Sequence, residues 1–248
     1  MQTIDLNCDL GEGFANDALL MPWISSANIA CGYHAGDTAT MQKTIALAIE
    51  HHVAIGAHPG FADKTNFGRT EMNLPLNEIF DLVTEQVWQL QQLAKQMGAL
   101  LQHVKPHGAL YNMSARDALL ANTIAKAVYT IDQNLVLFGL SGSLSVSEAE
   151  KIGLPTASEV FADRTYQPNG SLTPRSEPGA MIRSTGQCLQ QVLEMIQEQT
   201  VTTADQQRIP IKAQTVCLHG DGEQAVAFAQ QIYRELENNQ ISIQRISH

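Results

Sequence analysis

The run TIDLNCDL, residues 3–10, alternates without a break: Asp5, Asn7 and Asp9 fall on one parity, Ile4, Leu6, Cys8 and Leu10 on the other. Alternate side chains of an extended strand share a face. This strand is therefore apolar on one side and carries two carboxylates and an amide on the other. A central strand of an open, doubly wound parallel sheet is apolar on both faces, so the pattern argues against that architecture. The same alternation recurs in His103, Lys105 and His107 around Val104, in Glu159 and Asp163 against Val160 and Ala162, and in His219 and Asp221 against Leu218. Four strands that each send polar groups one way are best accommodated by a closed barrel. Its lumen would open onto a site at the carboxyl ends of the strands.

Strand-like runs at 3–10, 26–31, 53–58, 100–106, 135–140, 156–162 and 215–221 are separated by helical patterns at 37–51, 77–97, 115–131, 143–151, 185–199 and 222–239. The 77–97 segment places Ile79, Leu82, Val83, Leu90, Leu93 and Met97 on one stripe before Gly98, a C-terminal stop. Regular alternation of strand and helix implies a parallel sheet. The expectation is an irregular (β/α) barrel formed by residues 1–248 as a single domain, since no linker, repeat or low-complexity tract divides the chain.

A formal net charge of −10 would repel a phosphate backbone, which excludes nucleic acid as a partner. No apolar run reaches the roughly 18 to 20 residues that span a bilayer, and the N-terminus lacks a basic region followed by an apolar one. A cytoplasmic protein is expected. Cys8, Cys31, Cys188 and Cys217 form no CxxC pair and read as buried, inert thiols.

No phosphate-binding GxxxxGK[ST] loop, GxGxxG, GxSxG or HExxH motif is present. Any site must be assembled from several strand ends. The segments DLNCDLGEG, CGYHAGD, GAHPG, FGRT, KPHGALYN, EVFADR and HGDGE each combine a charged group or histidine with glycine after a strand, and glycine permits close backbone approach to a ligand. Asp9, nearest the strand end, is the preferred acid–base group. With His34 and His58 it would form an Asp/His/His set able to bind a divalent metal. His103, deeper in the strand, reads as lumen filler. The loop 164–183, framed by Arg164, Arg175 and Arg183, is long enough to cover or line a site.

These segments, in this order from residue 5 to residue 219, resemble the LamB/YcsF family of lactam-utilisation proteins. The resemblance implies a seven-stranded (β/α) barrel similar to those of glycoside hydrolases and polysaccharide deacetylases. It further implies ATP-dependent opening of 5-oxo-L-proline to L-glutamate by a 5-oxoprolinase in which this chain would be the A component, working with two other 5-oxoprolinase subunits (B and C). With no phosphate loop here, ATP is expected to be used as co-substrate by those partners.

Opening a lactam near neutral pH needs an activated carbonyl and a deprotonated water. The expected roles are Asp9, aided by His58 or a metal, as base; Lys105 and His107 as stabilisers of negative charge; and Asp163 or Asp221 as the acid for the leaving nitrogen. Arg69 or Arg175 would fork onto the substrate carboxylate. Asn7, Glu12, His34, Asp37, Tyr111, Glu159, Arg164 and His219 complete the expected substrate-binding set. Two alternatives remain open at this point: a stand-alone metal-dependent deacetylase, and a non-catalytic subunit that binds 5-oxoproline.

Overall fold

The alternation of residues 3–10 becomes a strand buried on both sides. Ile4, Leu6, Cys8 and Leu10 are at most 2% exposed and join the main apolar core, while Asp5 and Asn7 are fully buried on the other face. The structure, a computed structural model, describes residues 2–218 and 225–246. In chain order the elements are β1 (Gln2–Leu10), α1 (Asp17–Leu20), β2 (Ser26–Ala30), α2 (Thr38–Glu50), β3 (Ala54–His58), α3 (Leu76–Gln96), β4 (Leu101–Val104), α4 (Gly108–Ser114), α5 (Ala118–Ile131), β5 (Val136–Leu140), α6 (Leu144–Lys151), β6 (Thr156–Phe161), α7 (Thr185–Leu193), β7 (Thr200–Thr202), β8 (Arg208–Pro210), β9 (Thr215–Leu218), α8 (Ala225–Asn238) and β10 (Ile241–Ile243).

Strands β1 to β6 and β9 pair in parallel in that order, and β9 returns to β1, closing a seven-stranded barrel. The expected irregular (β/α) barrel is therefore the observed fold. β10 adds in parallel to the start of β1, and β7 with β8 forms a small antiparallel pair outside the barrel. Helices wrap the outside: Ile79, Val83 and Leu90 of the expected α3 stripe are at most 1% exposed, with Val87 and Ala94 buried beside them, while Leu82, Leu93 and Met97 are only partly buried.

The lumen is divided chemically. Val136, Phe138 and Ala157 of β5 and β6 form a small apolar cluster of their own, whereas β1, β2, β4 and β9 fill the remainder with polar groups. Asp5 accepts hydrogen bonds from Ser25, Ser26 and Thr215. Burial pushes its carboxyl up to about 6 despite those donors. The His103 ring stacks on Phe138 with centroids 4.3 Å apart, and its Nε2 pairs with Asn28 Oδ1 at 2.8 Å. The ring lies across Gly56, where an added Cβ would stand 2.0 Å from Nε2, and the β3–β4 register shifts at that point. Glycine is required there because nothing larger fits.

Three sequence expectations need correction. The helix expected over 115–131 starts at Ala118, where Asp117 caps it by accepting from the N–H groups of Leu119 and Leu120, and a separate short helix, α4 (Gly108–Ser114), precedes it. The helix expected over 185–199 ends as a π-turn at Glu194–Glu198, followed by Gln199 at φ +54°. The strand expected over 100–106 ends at Val104. Among the described residues no helix is long and apolar enough to cross a membrane.

Candidate active site

Five of the barrel strands bring side chains to the same mouth. β1 brings Asp9 and, after the turn at Gly11, Glu12; β3 ends at His58; β6 carries Glu159 and Phe161; β9 carries Cys217. Lys105 and His107 lie beyond the end of β4, yet their N–H groups still donate to Ala57 and Pro59 carbonyls at 2.9 and 2.8 Å. The alternation thus continues past the strand and keeps both side chains on the lumen side. The chain then turns at Gly108, with φ +53°, where an added Cβ would lie 2.5 Å from the Gly68 carbonyl oxygen. Only glycine accepts both that conformation and that approach.

The floor is a buried ion cluster. Lys105 Nζ lies 2.8 Å from Asp9 Oδ1 and 2.8 Å from Glu159 Oε1, with Cys217 Sγ at 3.1 Å and Asn7 Oδ1 at 3.2 Å. Burial alone would depress the lysine, but the adjoining Asp9 and Glu159 outweigh it and hold the ammonium well above its ordinary pKa. Asp9 Oδ1 also accepts from Asn28 Nδ2 at 2.8 Å, and its Oδ2 stands 3.4 Å from His58 Nε2. Tyr111 packs edge-on to Phe161, and burial together with Glu159 raises its hydroxyl far above the usual tyrosine range.

Beside this floor sits a histidine cluster. His58 Nδ1 contacts the Lys105 carbonyl at 2.7 Å, His107 Nε2 contacts the Phe67 carbonyl at 2.8 Å, and His58 Nε2 lies 2.9 Å from His107 Nδ1. Burial and the neighbouring His58 push His107 down to about 3, and burial drives His34 far below the usual histidine range. Glu12, His34, His58 and His107 each place one donor atom within 4.8 Å of the others, so the donor types suit a transition-metal ion. The His34 ring, however, lies flat on His107, 3.8 Å between centroids and 1° between planes. Its nitrogen lone pairs run parallel to those of His107 instead of converging with them.

Above the floor opens a cavity of about 950 Å³, lined by Asp9, Glu12, His58, Lys105, His107 and Tyr111, by Ser141–Ser143 after β5, and by the loop that follows β6. Arg69, Arg116 and Arg175 stand on its walls. Arg164 is 4% exposed and donates to the carbonyls of Thr173 and Ala180, tying the loop's two limbs together. Burial lowers it to about 10.

The structure brings together at the cavity Asp9, Glu12, His58, Arg69, Lys105, His107, Tyr111, Arg164 and Arg175. Asn7 and Glu159 lie beneath, contacting Lys105, and His34 lies behind His107. Asp37 is elsewhere: exposed, it caps α2 by accepting from the Thr40 N–H. Asp163 does not line the cavity. Its carbonyl accepts from Ile182 at the base of the loop. His219 and Asp221 lie outside the described residues. Sequence reasoning missed Asn28, which joins Asn7, Asp9 and His103, and the contact of Cys217 with Lys105. Both share the lumen parity of their strands, which was the available signal. Ser141 and Ser143 flank a glycine directly after β5, the same mark that singled out the other strand ends.

Comparison with known proteins agrees with this architecture. The family model described as LamB/YcsF matches residues 4–248. The A component of 5-oxoprolinase from Shouchella clausii (strain KSM-K16) is 54% identical over 248 residues, covering 98% of each chain. The crystal structure of the lactam utilization protein from Thermus thermophilus superposes with a TM-score of 0.93 at 37% identity, covering 99% of this chain and 100% of the other. A family 4 carbohydrate esterase from Streptomyces lividans shares the fold at a TM-score of 0.51 and 13% identity, covering 99% of this chain and 93% of the other. A match that runs across nearly the whole chain, and so takes in every strand end that builds the cavity floor, makes this protein a member of the LamB/YcsF family.

Proposed function

We propose that this chain is the ring-opening subunit of an ATP-dependent 5-oxoprolinase. It hydrolyses 5-oxo-L-proline to L-glutamate after the lactam has been activated with ATP by two partner subunits. The observation that carries this reading is the buried ammonium of Lys105, fixed at the cavity floor between Asp9 and Glu159. The naming of relatives that are about half identical supports the substrate.

A lactam carbonyl is a weak electrophile, and transfer of phosphate to its oxygen makes the carbon attackable by water. Asp9 takes the proton of that water. Its Oδ1 is tied to Lys105 and Asn28, and its Oδ2, 3.4 Å from His58 Nε2, is the atom that receives the proton. Lys105 stabilises the negative charge that develops on the former carbonyl oxygen, and being buried and fixed it needs no reorganisation to do so. The ring C–N bond breaks as the proton taken from water passes to the nitrogen, which leaves an acyl phosphate, and a second water cleaves that to glutamate and inorganic phosphate. Arg69 or Arg175, on the cavity wall, holds the substrate carboxylate. A stand-alone deacetylase that uses Asp9 as a metal ligand fits less well, because the Lys105 ammonium already neutralises that carboxylate.

The test is glutamate formation from 5-oxoproline and ATP, by this chain alone and with its partners. Turnover is expected only in the mixture. Asp9→Asn and Lys105→Ala are each expected to lower it by about a hundredfold or more, since loss of one charge-stabilising group costs about 2.7–4 kcal/mol. Turnover by the chain alone, or wild-type rates in both variants, would overturn the reading.

A further inference from the structure

The geometry assigns one divalent-cation site of the zinc type to His58, His107 and Glu12. It does not depend on the lactam-opening reading. Two backbone carbonyls fix which ring nitrogens carry protons. His58 Nδ1 lies 2.7 Å from the Lys105 carbonyl and His107 Nε2 lies 2.8 Å from the Phe67 carbonyl. A carbonyl oxygen only accepts, so each of these nitrogens must donate. In a neutral ring the other nitrogen is then a bare lone pair. With both rings neutral, the lone-pair nitrogens would be His58 Nε2 and His107 Nδ1, which face each other at 2.9 Å.

The carbonyl–ring–ring–carbonyl chain therefore has three contacts and, from two neutral imidazoles, only two protons. The middle contact is then left without a proton, a place that a cation can take. Glu12 Oε1 stands 3.5 Å from His107 Nδ1, and Asp9 Oδ2 stands 3.4 Å from His58 Nε2, so each of the two facing nitrogens has a carboxylate oxygen beside it. With metal–ligand bonds of about 2.0–2.1 Å, separations of 2.9 and 3.5 Å subtend about 90° and about 117°, ordinary ligand–metal–ligand angles. Two imidazoles whose second N–H groups are anchored by carbonyls make a pre-set pair of ligands. Two nitrogens and an oxygen favour zinc, cobalt or nickel over calcium or magnesium. All three residues line the cavity, leaving the open side of the ion toward it.

The experiment strips the full-length protein with chelator, then titrates it with Co²⁺ and Zn²⁺. Binding is read by metal analysis after dialysis and by the visible absorption of bound Co²⁺. The expected result is uptake of a single equivalent. His107→Gln and Glu12→Gln should each weaken it by more than the roughly 10- to 100-fold that loss of an outer-shell partner costs, with thermal melting confirming that they remain folded. His103→Asn and the double variant His51→Ala/His52→Ala should bind as wild type does. Sub-stoichiometric uptake by the wild type would overturn the assignment, as would undiminished binding in both ligand variants. So would imidazole nitrogen NMR showing one proton shared between His58 and His107 in protein that takes up no cation.

Discussion

Lys105 Nζ and Asp9 Oδ1 stand 2.8 Å apart, with the lysine side chain 3% exposed, and Glu159 closes on the same ammonium from the opposite side at 2.8 Å. One positive charge is thus shared by two carboxylates in a buried site. Such a cluster is intact or costly: removing one partner of a buried pair leaves an unmatched charge, at about 3–5 kcal/mol.

The stability of this cluster can be separated from its chemistry. Lys105→Met should destabilise the protein by about 3–5 kcal/mol, measured by urea unfolding. Adding Glu159→Gln to that variant removes one of the two stranded carboxylates and should restore part of the loss. Turnover should not return in the double variant, because the ammonium is still absent. Equal stability of single and double variants would refute the shared-charge account.

A second prediction concerns acid stability. Burial lowers His103 to about 3, whereas an unfolded histidine titrates near 6.5. Between those values the unfolded chain binds the extra proton, so this group leaves stability intact above about pH 6.5 and removes it progressively as pH falls toward 3. The expected loss is about 1.4 kcal/mol per pH unit from this residue. His103→Asn should flatten the acid limb of a stability-against-pH curve by one proton. An unchanged slope would show that His103 is protonated in the fold.

Gly56→Ala is expected to cost at least about 1–3 kcal/mol, the usual penalty of overpacking, because the new methyl would fall inside the His103 ring. His103→Ala in the same chain should relieve that clash. Denaturation midpoints of the four species, wild type included, give the coupling directly. Additive losses would argue against the close contact.

The loop after β6 is held by Arg164, whose guanidinium donates to Thr173 and Ala180. Arg164→Met should loosen residues 165–183 and expose them to proteolysis, with little change in the far-ultraviolet circular dichroism of the barrel. It should also raise KM more than it lowers kcat, since Arg175 and the other cavity-lining loop residues would lose their place. Unchanged proteolysis would contradict the strut role.

Period-two alternation in residues 3–10, 103–107 and 159–163 was enough to indicate a barrel with a polar lumen, because side-chain direction in a strand depends only on parity. The same logic correctly placed His103 among the lumen-filling groups, and glycine after a strand marked most of the cavity mouth. Asp37 and Asp163 also stand beside glycine-rich or charged segments, yet one is spent on a helix cap and the other lies off the cavity. A carboxylate's role depends on what surrounds it, and local sequence does not state that. Nor could spacing along the chain show that Glu12, from the turn after β1, meets His107, from the turn after β4, at 3.5 Å. Parity and turn chemistry are local and were determined by the sequence itself. Which strand ends face one another is decided by barrel closure and register, and only the tertiary structure supplies those. They select Asp9, Lys105 and Glu159 as one charge cluster, and His58 and His107 as partners whose ring nitrogens meet at 2.9 Å.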